Sequence, residues 1–158
     1  MIRNFEIWIS LNLSVWKRPP SWLILFGILF LAGACTEYDV DTPDTPANRM
    51  GFQRHIGFEP GTDVKRVYYY ADELGADVQY QLSFQCSKEV VDKVIGTLSL
   101  ESMPPHQAGL EPRVDLIWWK PDSTTGLPFW SKSKEKQYYW EFWYSEELKQ
   151  AYYHEYSI

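Results

Sequence analysis

A thiol does chemistry when it ionises, and this chain has two, Cys35 and Cys86. Cys86 follows an alternating segment that ends at Gln85 and stands just before Ser87, a residue type that opens helices. A helix N-terminus can acidify such a thiol, but a lone cysteine at a strand end is more often a small buried hydrophobe, and no catalytic partner pattern accompanies it. His55, His106 and His154 are far apart and lack the spacing of metal ligands, so no metal site is expected. Carboxylates such as Asp115 and Glu141 could meet across facing strands and act as an acid/base pair, although nothing selects them over other pairs. The sequence has no phosphate-cradling glycine loop, no HExxH and no GxSxG. It therefore assigns no catalytic residue and no cofactor, and a binding role leads over an enzymatic one.

Aromatic side chains stand above background: they make up 17% of the chain, so they must fill a core, form a recognition surface, or both. In the stretch Tyr138 to Tyr144, the residues Tyr139, Glu141 and Trp143 alternate with Tyr138, Trp140, Phe142 and Tyr144. One side of that strand can be buried while the other holds two rings around a carboxylate. With Trp118 and Trp119 from a neighbouring segment, Tyr139, Glu141 and Trp143 form the expected binding face.

The elements that must position these residues follow from periodicity. Residues 64–71 are β-branched and aromatic, and 77–85 alternate without a fault, with Val78, Tyr80, Leu82 and Phe84 on one side. The connection at 72–76 suits a hairpin, so the two strands should be antiparallel. Ser87 opens a short helix with Val90, Val91, Val94 and Ile95 on one stripe, closed by Gly96. Strands are expected at 97–101, 113–119, 138–144 and 151–158, with 103–112 and 123–137 as loops. The expected fold is α+β: an antiparallel sheet of about five to six strands in the order ββαβ-βββ, with one short helix on one face.

Upstream, Ser21 to Cys35 is an apolar run of about 15 residues, shorter than the ~20 a membrane-crossing helix needs. Lys17, Arg18, Pro19 and Pro20 precede it, and Leu31, Ala32, Gly33 and Ala34 lead into Cys35. Residues 17 to 36 resemble the lipobox signal of bacterial membrane lipoproteins, with Ala32 at the position where that family prefers Leu. The resemblance implies that 1–34 is a signal peptide and that Cys35 carries the lipid, which would bind the protein to a membrane without a transmembrane helix. Residues 1–14 are unusually apolar for a leader, and a start at Leu13 or Val15 would give ordinary proportions. A plain signal cut near Ala34, or an uncleaved anchor, is the alternative.

Residues 35–50, rich in Asp, Thr and Pro after the cysteine, are expected to be an acidic tether, and 51–158 a single domain. The formal net charge is −6, and the leader holds three of the cations (Arg3, Lys17, Arg18) but only one acid (Glu6), so the remainder is more acidic still. That balance disfavours nucleic acid as a partner. The sequence thus implies a lipid-anchored protein of the bacterial cell envelope, its domain outside the cytoplasm. The domain should be a non-enzymatic module binding an envelope protein, or alternatively a binder or hydrolase of envelope glycan.

Overall fold

In the computed structural model, residues 40–73, 77–104 and 110–158 are described. The leader, the lipobox, Cys35 and His106 lie outside them. Residues Glu37–Ile158 form one compact unit.

Among the described residues the fold is α+β, with a six-stranded antiparallel open sheet and two helices. In chain order the elements are α1 (Pro46–Ile56), β1 (Lys65–Asp72), β2 (Gln79–Gln85), α2 (Lys88–Leu98), β3 (Glu101–Ser102), β4 (Phe129–Lys134), β5 (Tyr138–Ser145) and β6 (Gln150–Ser157). The strands lie side by side as β1-β2-β6-β5-β4-β3. Both helices pack on one face, where Phe52, Ile56, Val91 and Val94 meet Tyr69, Leu82, Phe84, Phe142 and Tyr153 in the main core. On the opposite face, a segment within 110–128 lays Leu116 and Trp119 over Tyr70 and Tyr152 as a second, smaller core. The two sides are called the helix face and the loop face below.

The expected order and the single helix need three corrections. First, 46–56 is helical, so the tether ends before Pro46. Thr45 caps the helix through its hydroxyl, which accepts from the Asn48 N–H (3.1 Å), and Gly57 ends it at φ 89°. A Cβ on Gly51 would sit 2.6 Å from the Tyr69 ring, so glycine is what lets the helix lie this close to β1. Second, 113–119 is not a strand. Its backbone pairs with a side chain instead: Arg113 N–H donates to Gln81 Oε1 (2.8 Å), and Gln81 Nε2 donates to the Arg113 carbonyl (3.0 Å). Third, the missing strand is β4, within the expected polar loop, where Phe129, Ser131 and Ser133 alternate with Trp130, Lys132 and Lys134. The strand expected at 97–101 shrinks to Glu101–Ser102 because α2 runs on to Leu98 and closes at Ser99 (φ 55°), not Gly96.

A tight turn joins β4 to β5, with Glu135 and Lys136 both at φ 56° and Gln137 N–H donating to the Lys134 carbonyl (3.1 Å). Two successive left-handed residues are the geometry that favours Asn-Gly. Lys136→Gly is therefore expected to raise stability by about 0.5–1 kcal/mol in a urea melt, the relief of strain exceeding the added chain entropy.

Candidate functional site

Register across the sheet lines up Tyr70, Gln81, His154 and Glu141 on four adjacent strands of the loop face. His154 and Glu141 are buried, with the Trp119 ring 6.5 Å from the imidazole. Gln79 donates an amide N–H to His154 Nε2 (2.9 Å), which leaves Nδ1 as the protonated nitrogen that donates to Glu141 (3.0 Å). The Tyr156 hydroxyl also donates to Glu141 (3.4 Å). Arg113 closes this end by donating to the Tyr70 hydroxyl (3.0 Å) and pairing with Asp115, which holds the Asp115 carboxyl below its ordinary range. Asp115 thus faces Arg113 at the surface, whereas Glu141 lies inside with His154.

Glu155 neighbours His154 in β6 and so points to the helix face. It accepts from His55 Nδ1 (2.7 Å) and from the hydroxyls of Tyr138 (2.5 Å) and Tyr153 (2.6 Å). Burial pushes this carboxyl up, but the bond and charge of His55 with the two phenol donors outweigh it and hold Glu155 below its ordinary value. Desolvation pushes the phenols of Tyr69, Tyr138 and Tyr153 well up, and that of Tyr80 to about 12. These phenols keep their protons through the neutral range, and those of Tyr80, Tyr138 and Tyr153 donate to carboxylates, Tyr80 to Glu73 (3.0 Å) and the other two to Glu155. Beside the cluster an acidic cleft of about 620 Å³ is walled by Tyr138 and Trp140, with Asp77 and Glu135 at its rim.

Two further clefts have loop-face residues among their lining. One, about 450 Å³, lies at Tyr139, Ser131 and Glu101. The other, about 410 Å³, lies between Arg66, Tyr68, Gln85, Trp118, Gln150 and Tyr152. There the Trp118 ring stacks on Tyr68 (centroids 5.5 Å, planes 17° apart) and its Nε1–H donates to the Val40 carbonyl (2.7 Å). The indole is thus fixed on one face and at its polar edge.

The five residues of the expected binding face gather on the loop face, in three different settings. Trp119 and Glu141 are core, each 1% exposed. Trp143 is half-buried between Phe129 (5.1 Å) and Trp119 (6.1 Å, T-shaped), and Tyr139 is half-buried on Tyr156 (5.0 Å). Trp118 is half-buried and lines a groove. Sequence reasoning missed Arg66, Tyr68, Gln85 and Gln150. The run Tyr68-Tyr69-Tyr70 gave a signal for one of them, since alternation sends Tyr68 and Tyr70 to the same side.

Cys86 is a free, buried thiol, pushed up to about 12 chiefly by burial and secondarily by the charge of Asp63. Among the described residues, no cluster of three or more His, Cys, Asp or Glu could hold a metal ion, and no helix is long and apolar enough to cross a membrane. Comparison with protein-family models, with characterised proteins and with solved structures finds no match to this chain.

Proposed function

We propose that this chain is a lipid-anchored protein of the bacterial cell envelope, tethered through Cys35, and that its domain is a non-enzymatic binding module. The anchor rests on the basic turn, the short apolar run and the small-residue exit to Cys35. The binding role is carried by the Trp118 groove: an indole already immobilised by Tyr68 and Val40 loses little freedom when a ligand covers its remaining face. The two buried carboxylates support binding over glycan hydrolysis. Glu141 and Glu155 lie on opposite faces of the sheet, so they cannot flank one glycosidic bond, and each is already held by internal donors.

The anchor is tested by growing a bacterium that expresses the full chain with labelled palmitate. The wild type should be membrane-bound and labelled, and Cys35→Ser should lose the label. A labelled Cys35→Ser protein would refute lipidation at this residue.

A further inference from the structure

The clefts at Tyr138, at Tyr139 and beside Cys86 each include at least one carboxylate among their lining residues. The groove at Trp118 includes none, and Arg66 is the one charged residue that lines it. Arg66 is also held in a backbone conformation that L side chains avoid, at φ 50°, where β1 bulges against β2. Asp44 maintains it: one carboxylate accepts from both the Arg66 N–H (2.8 Å) and the Val67 N–H (3.2 Å). The strained backbone is thus clamped from outside the sheet, while the guanidinium makes a long contact with the Tyr68 hydroxyl (3.4 Å).

Three kinds of group converge here. Trp118 offers a flat face. Gln150 donates to Ser83 Oγ (2.7 Å), which leaves its carbonyl oxygen to accept, and half-buried Gln85 lines the same wall. Arg66 offers a planar fork matched to a carboxylate. A pyranose ring presents a C–H face for stacking and hydroxyls for amides, and a carboxylate on that ring answers the guanidinium. Building on the binding-module reading and naming its ligand, we infer that the Trp118 groove binds a saccharide that carries a carboxylate. Uronic acid units and the lactyl ether of muramic acid share this chemistry.

The test is calorimetric titration of the purified full chain with oligogalacturonate, with the same oligomer after reduction of its carboxyls to alcohols, and with a muramyl disaccharide. At least one acidic saccharide should bind, and it identifies the source. The acidic oligomer, if it is the one bound, should bind at least tenfold tighter than its reduced form, and an added 0.5 M salt should erode that margin. Arg66→Gly suits the left-handed backbone, so the melting temperature should not fall, while binding of the acidic saccharide drops at least tenfold. Trp118→Ala should weaken binding by a similar factor. Equal affinity for acidic and reduced oligomers, or full affinity in Arg66→Gly, would overturn the inference. Should no saccharide bind while envelope protein is retained in a Trp118-dependent way, the ligand assignment falls and the binding module stands. Should neither be retained, both fall.

Discussion

Glu155→Ala is expected to destabilise the domain by about 3–5 kcal/mol, the scale seen when one member of a buried pair is removed and its partner is left behind. His55, Tyr138 and Tyr153 all donate to this one carboxylate, so the substitution strands three donors at once. The same geometry sets a pH dependence. The folded Glu155 ionises below its ordinary value, so its contribution is present above the ordinary glutamate range and disappears as pH falls through the folded value. Wild-type stability, read from urea melts between pH 7 and pH 3, should therefore decline on the acid side. Glu155→Gln should be less stable at neutral pH and show a flatter profile. An unchanged profile in Glu155→Gln would mean that the cluster does not hold the carboxylate as an anion.

Trp119→Ala should cost a similar ~3–5 kcal/mol, because the indole is almost wholly enclosed and anchors the segment that covers the loop face. Its ring makes T-shaped contacts with Trp143, Tyr152 and His154, so truncation opens water access to the buried Glu141–His154 pair as well. Trp118→Ala differs: that ring is half-buried and lines the groove, and the loss of its stack on Tyr68 and its bond to the Val40 carbonyl should cost about 1–3 kcal/mol, less than at Trp119. Adjacent tryptophans thus separate a stability role from a recognition role, which melting curves of the two variants resolve. Equal destabilisation by both would place Trp118 in the core.

Where the sequence was legible, one physical signal governed the element. β2 alternates cleanly, α2 carries a valine stripe, and β5 and β6 are dense in aromatic residues, so the structure follows the periodicity in each. α1 was hidden because only Phe52 and Ile56 supply its apolar stripe, while its other buried positions are Asn48 and Gly51, chosen for a hydrogen bond to the Val67 carbonyl and for close approach to Tyr69. Residues 113–119 read as a strand, yet Leu116 and Trp119 face inward and Val114 and Ile117 lie exposed, a division that depends on the distant Gln81 side chain. β4 was hidden by its lysines, which project from a strand beside the sheet edge.

The binding face was legible only as a set of alternating residues. Which of them stay accessible is decided by the covering segment, and no local pattern encodes that choice. Arg66 was hidden for a different reason: its position in the groove depends on a bulge whose clamp, Asp44, is 22 residues away.

The central claim, a binding module that recognises its ligand through Trp118, is tested most directly by immobilising the full chain and its Trp118→Ala variant and exposing both to separated envelope protein and glycan fractions. The wild type should retain a component of one fraction, and Trp118→Ala should retain at least tenfold less while still melting cooperatively above the assay temperature. Equal retention by the two proteins, or retention by neither, would contradict the account.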